Sequence, residues 1–104
     1  MSKTLKREGF WLSKYEPDLP TPKARDSPAP DQQEVLNRLS KREASAQEVF
    51  YKGWSTCRIC GCSNGTSEFK FRGWTWPIGL RHYIEKHNVR VSPEFKTFLF
   101  PKEA

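Results

Sequence analysis

No stretch of this 104-residue chain approaches the roughly 18–20 consecutive apolar residues of a membrane span. The basic opening Met1-Ser2-Lys3-Thr4-Leu5-Lys6-Arg7 is not followed by the apolar core, about 7–15 residues long, that a secretory signal needs. Cysteine is scarce: three residues, an odd number, all within Cys57–Cys62. A secreted disulfide scaffold spreads its cysteines along the chain, and near neighbours are awkward to bridge. These absences predict a protein of a reducing intracellular compartment, the cytoplasm, with no membrane association.

Aliphatic residues are also sparse. Hydrophobic residues make up 36% of the chain, below the roughly 45–50% usual for globular domains when glycine is counted. Much of what is present is aromatic, including Phe10, Trp11, Trp54, Phe69, Phe71, Trp74, Trp76, Tyr83, Phe95 and Phe98. A core this small and this poor in aliphatics usually needs a disulfide, a metal or a partner to hold it. Acidic residues fall short of basic ones by 12 to 18, and the excess leans toward the C-terminal half. That balance favours anionic partners such as nucleic acid.

Five prolines between Pro17 and Pro30 exclude regular structure there, because each removes a donor and biases its predecessor away from helix. Residues 1–30 therefore read as an extended arm, and residues 31–104 as a single domain. Gly9-Phe10-Trp11-Leu12 and Tyr15 are too apolar for a free linker and are expected to dock on that domain or bind a partner. Asp31 reads as a helix cap with Glu34 three residues later. Val35, Leu36 and Leu39 predict a helix over about 32–43, with Arg38, Lys41 and Arg42 on a solvated face. Ala46, Val49 and Phe50 either extend this stripe or, with Tyr51, begin a strand.

Asn64-Gly65 signals a turn. From Thr66 to Arg72 the pattern alternates, with Phe69 and Phe71 on one face and Glu68, Lys70 and Arg72 on the other, which is a half-buried strand. Gly73 breaks it. Pro77 suits the first turn of a helix capped by Thr75 or Trp76, with Leu80, Tyr83 and Ile84 on one face and Asn88 as its stop. Ser92-Pro93-Glu94 starts a further helix carrying Phe95, Phe98 and Leu99, and Pro101 ends it.

Cys57-Arg58-Ile59-Cys60 is a C-x-x-C pair, whose thiolates can share one ion at Zn–S distances of about 2.3 Å. His82 and His87 follow after 21 intervening residues, on the predicted helix. A turn, a strand and a helix between the pairs would bring them together as in a two-cysteine, two-histidine finger. The expected site is therefore Cys57, Cys60, His82 and His87 around one structural Zn2+. Five residues of α-helix advance by about 500°, leaving the histidines about 140° apart, so the helix must loosen before His87. If one histidine does not ligate, Cys62 is the substitute. A redox dithiol would need a βαβ context that the chain lacks.

Cys57-Arg58-Ile59-Cys60, Asn64-Gly65, Glu68, Gly73-Trp74-Thr75-Trp76-Pro77, Gly79-Leu80, His82-Tyr83-Ile84, His87 and Val89 together resemble a group of small uncharacterised bacterial proteins. The resemblance spans about residues 50–100. It implies that Cys57, Cys60, His82 and His87 are the set that matters and leaves Cys62 outside the shared pattern. It implies no activity.

The fold expected is a small α+β, zinc-finger-like domain: a cysteine turn, short strands or a hairpin, a helix carrying the histidines, flanking N-terminal and C-terminal helices, and the arm. The function expected is that of a noncatalytic, monomeric interaction module. Nucleic acid would be contacted through Arg58, Lys70, Arg72, Arg81, Lys86 and Arg90, with exposed aromatics stacking bases. A protein partner held by the arm and C-terminal helix is the alternative. An enzyme is not expected: Glu85 lies between the histidines, but His-Tyr-Ile-Glu-Lys-His is not the H-E-x-x-H of a zinc hydrolase.

Overall fold

The structure is a computed structural model that describes residues 6–11, 17–50 and 55–100. Among the described residues, three helices and a four-stranded mixed sheet form a small α+β domain. In chain order the elements are β1 (Lys6–Arg7), α1 (Gln32–Ser45), β2 (Gln47–Phe50), β3 (Ser67–Phe71), β4 (Trp74–Pro77), α2 (Leu80–His87) and α3 (Pro93–Leu99). The sheet order is β1-β4-β3-β2, with β1 parallel to β4 and the other pairs antiparallel.

The alternation in β3 appears as expected. Phe69 is buried, and it shares a face with Trp76, its partner across the ladder, just as Phe71 shares one with Trp74. The chain between Trp74 and Pro77 departs from the expected helix start: it is strand β4, and α2 begins three residues later, with Gly79 at its N-cap. The cause lies at Arg72 and Gly73. Both adopt positive φ, 46° and 84°, which closes a two-residue hairpin of the type whose twist matches the strands. That turn folds Trp74 back onto Phe71, and the pairing overrides the helix-start preference of Pro77.

The aromatic residues are the core. Trp76 and Phe95 are fully buried, and Phe95 meets Trp74 and Trp76 edge-on at ring-centroid distances of 5.1 and 5.6 Å. Such tilted pairs add about 0.5–1.5 kcal/mol beyond the area they bury. Leu39, Val35 and Leu36 of α1 and Leu80 and Ile84 of α2 complete the same cluster.

Two further expectations change. Asp31 occupies the N-cap of α1 without a side-chain cap bond, because its carboxylate pairs with Lys96 in the last turn of α3. Arg42 is not on a solvated face: it donates to the Phe98 carbonyl at 2.9 Å and its guanidinium lies 5.0 Å from the Phe98 ring centroid. Arg38 likewise lies 5.0 Å from the centre of the Phe100 ring. Both arginines therefore cement α1 to α3. Of the two alternatives open for residues 46–50, the strand is the one that forms, as β2. Ser92 caps α3 as expected, accepting from the Phe95 amide at 3.1 Å.

The arm contributes to the fold where it is described. Lys6 and Arg7 add the parallel edge strand beside Trp74 and Thr75. Glu8 then accepts from both the amide and the hydroxyl of Ser92, each at 2.8 Å. Burial pushes its carboxyl up despite those two bonds. Trp11 packs on Tyr83, with ring centroids 6.0 Å apart. Leu12, Tyr15, Tyr51, Trp54 and Pro101 lie outside the described residues.

Candidate metal centre

The cysteines sit on a tight loop whose base is a short bridge between Thr56 and Ser63. The Cys57 amide donates to the Cys62 carbonyl, and the Gly61 amide to the Cys57 carbonyl, each at 2.9 Å. Gly61 adopts φ +76°, which lets the chain double back directly after the second cysteine. The Ile59 and Cys60 amides point at the Cys57 sulfur, at 3.4 and 3.5 Å. These two contacts fix the position of the Cys57 sulfur at the base of the loop.

Two glycines set this loop against α2. A Cβ on Gly65 would collide with Cγ2 of Ile78, and one on Gly79 would collide with the Asn64 side chain. Gly65 also adopts φ +96°. A third link runs from Tyr83, whose hydroxyl accepts from the Arg58 amide at 2.8 Å. Tyr83 is buried with Cys57 and Val89, and Trp11 covers them. Burial raises its hydroxyl pKa, so the ring stays neutral.

Helix α2 continues through His87 rather than loosening before it. The adjustment comes one residue later, at Asn88, which takes the left-handed conformation (φ 57°, ψ 27°). The amides of Asn88 and Val89 both return to the Tyr83 carbonyl, five and six residues back. Closure at this longer interval widens the last turn, so residues five apart lie nearer one face than in a regular α-helix. The His82 and His87 rings consequently sit 5.1 Å apart between centroids. The arm fastens the same end: the Arg25 amide donates to the His87 carbonyl and the Asn88 side-chain amide to the Arg25 carbonyl, both at 3.0 Å.

With both pairs in place, Cys57, Cys60, His82 and His87 each offer a ligand atom within 4.8 Å of all the others, close enough to hold one metal ion. Cys57 is buried at 2% exposure and forms the inner wall, Cys60 is exposed, and the histidines are half-buried. The His87 Nε2 atom is buried and has no hydrogen-bond partner. A buried ring nitrogen without a partner is costly, and a metal ion would satisfy it.

Cys62 joins the cluster as well. Its sulfur lies 3.3 Å from that of Cys60 and 3.3 Å from His82 Nε2, while Cys60 lies 3.4 Å from the same nitrogen. Hydrogen bonds from the Cys62 amide and thiol, joined by His87 and His82, hold the Cys60 thiol down at about 5. Sharing a proton with Cys60 pushes the Cys62 thiol up.

The six basic residues expected to meet nucleic acid do not form one face. Arg58 is on the cysteine loop, and Lys86 and Arg90 surround the end of α2. Lys70 and Arg72 lie at the β3–β4 hairpin, at the other end of a strand about 13 Å long. Arg81 is engaged inside the fold by Ser40 and Glu43. The aromatic residues expected to stack on bases are core: Phe69, Trp74 and Trp76 are buried and Phe71 packs against them. The apolar side of α3 is likewise used internally, through Phe95 and Leu99. Glu85 is exposed on α2. Among the described residues, no helix is long and apolar enough to cross a membrane.

Two features of the site escape the sequence reading. Gly61 is legible in principle, since a glycine directly after the second cysteine is what the reversal requires. The Tyr83–Arg58 link has no sequence signal, because it joins residues 25 apart through a backbone amide. Comparison with protein-family models, curated proteins and solved structures finds no match to this chain.

Proposed function

We propose that the protein is a noncatalytic interaction module whose fold is held by one structural zinc ion. The observation that carries this reading is the convergence of Cys57, Cys60, His82 and His87 within 4.8 Å of one another. Two thiolates and two imidazoles are a donor set of tetrahedral structural zinc, and four protein ligands leave no position for a substrate or an activated water. The buried, unpartnered His87 Nε2 supports a bound ion there. Apparent binding energies of about 10–16 kcal/mol for zinc in finger peptides match or exceed the roughly 5–15 kcal/mol that stabilises a typical domain. Zinc thiolates also suit a reducing compartment such as the cytoplasm. Glu85 has no place in this chemistry as a base.

The partner surface is proposed to be the exposed basic residues at the metal-site end, Arg58, Lys86 and Arg90, meeting phosphates by charge, because the aromatic rings are committed to the core. Binding of this kind weakens steeply as salt rises and discriminates little between sequences. The test is a salt titration of zinc-loaded protein with single- and double-stranded oligonucleotides. A steep loss of affinity supports the reading, and absent or salt-insensitive binding removes it.

A protein partner is the second reading. Phe50, at the end of edge strand β2, is 69% exposed, an unusual position for so large an apolar side chain. A defined partner that co-purifies with the wild type and is lost with Phe50→Ser would favour it.

A further inference from the structure

The metal centre has one donor too many. A tetrahedral ion at about 2.3 Å from sulfur and 2.0–2.1 Å from nitrogen holds its donors about 3.3–3.8 Å apart. Cys60 Sγ, Cys62 Sγ and His82 Nε2 form a triangle with sides of 3.3, 3.3 and 3.4 Å, close to the dimensions of one face of that tetrahedron. Cys62 is built into this position by the fold, since its carbonyl accepts from the Cys57 amide and closes the loop that carries both other cysteines. Its side chain faces solvent, so no apolar packing accounts for its orientation.

On this geometry, and resting on the zinc reading above, we propose that Cys62 is an alternative metal ligand that contests the fourth position with His87. Cys57, Cys60 and His82 are common to both arrangements. With His87 the ion sits in a neutral set of two thiolates and two imidazoles, on the buried side of the site. With Cys62 it sits in a set of three thiolates and one imidazole, which carries one negative charge and faces solvent. Soft thiolate ligands favour soft ions, so the three-thiolate set gives the site a means of holding Cu(I) or Cd2+ as well as zinc. Exchange between the two sets moves the ion toward the surface without releasing it.

Cobalt(II) tests this directly, because its thiolate charge-transfer absorption grows with the number of sulfurs bound and its d–d bands report tetrahedral geometry. The full-length protein is titrated with Co2+ as wild type, Cys62→Ser, His87→Ala and the double variant. The wild type is expected to show tetrahedral bands. Cys62→Ser, an exchange at an exposed position, is expected to keep those bands with weaker charge transfer. His87→Ala is expected to keep them with stronger charge transfer, and the double variant, left with three protein donors, to bind Co2+ more weakly than either single variant. Charge transfer in Cys62→Ser identical to the wild type would overturn the proposal whether or not His87→Ala folds. Loss of the tetrahedral bands in Cys62→Ser would overturn it too, since His87 could then not replace the thiolate. A wild type without tetrahedral bands would overturn the metal reading itself, and this proposal with it.

Discussion

The Tyr83 hydroxyl accepts a hydrogen bond from the Arg58 amide at 2.8 Å, tying the cysteine loop to the helix that carries both histidines. Arg58 follows Cys57 and Tyr83 follows His82, so one bond sets the spacing of the two halves of the metal centre. Tyr83→Phe removes the acceptor and leaves the amide without this partner. The expected cost is about 1 kcal/mol of stability. Weaker zinc retention in a chelator competition should accompany it, and the wild-type competition curve would show that the bond does not position the site.

The glycine contacts at the base of the loop predict a second effect. Gly79→Ala places a methyl group against Asn64, although the φ of −76° is one that alanine adopts freely. The loss is therefore steric, on the order of 1–3 kcal/mol. It should be recovered in large part by Asn64→Gly in the same chain, read as a coupling in a double-mutant thermal-melt cycle. Gly65→Ala is expected to be recovered less by Ile78→Ala, because a left-handed φ of +96° stays strained when space is made.

Thiol chemistry gives a third. Wherever the cysteine loop keeps its geometry without an ion, the Cys60 thiol is held down at about 5, whereas the Cys62 thiol is pushed above its ordinary value. A depressed folded value keeps the thiolate as pH falls from about 9 and loses it only near pH 5. Mass mapping after brief iodoacetamide treatment at pH 6–7 should find Cys60 modified before Cys62. Zinc should protect Cys60, and equal labelling of the two would contradict this order.

Glu8 supplies a pH dependence of opposite sign. Burial raises its folded pKa above 4.5, so the folded state holds that proton more tightly than the unfolded chain. Its contribution is most favourable below the unfolded value and declines as pH rises through the folded one. Glu8→Gln preserves an acceptor for the Ser92 amide and removes the titration. The stability of the wild type relative to this variant, both saturated with zinc, should therefore fall as pH rises above 4.5 and then level off. A difference that grows with pH would refute the assignment.

Much of the fold was legible wherever one local signal decided the outcome. The alternation of Phe69 and Phe71, the Ser92-Pro93 start of α3 and the stop of α2 at Asn88 all appear as expected. The segment Trp74–Pro77 misleads because its local preference and its pairing disagree. Pro77 favours a helix start, but the Arg72-Gly73 turn brings Trp74 and Trp76 opposite Phe71 and Phe69. Gly73 signals a break there, but nothing local announces a two-residue turn, since arginine seldom adopts a positive φ. Asp31 and Arg42 mislead similarly, as each finds a distant partner on α3 in place of a local role. In the candidate site, residue types and spacing named the four converging donors. The helical phase of His87 was not readable, because the turn that reconciles it depends on Asn88 and Val89 both reaching back to Tyr83.

The central claim is that one zinc ion holds this domain together, and zinc-coupled folding tests it most directly. Purified protein is assayed for metal by mass spectrometry and by circular dichroism, before and after removal of metal with a strong chelator. One zinc per chain is expected, with loss of cooperative unfolding on chelation and its return when one equivalent of zinc is added; Cys57→Ser should bind no stoichiometric zinc. A wild type that is metal-free as isolated, folds fully and melts cooperatively without zinc would contradict the account.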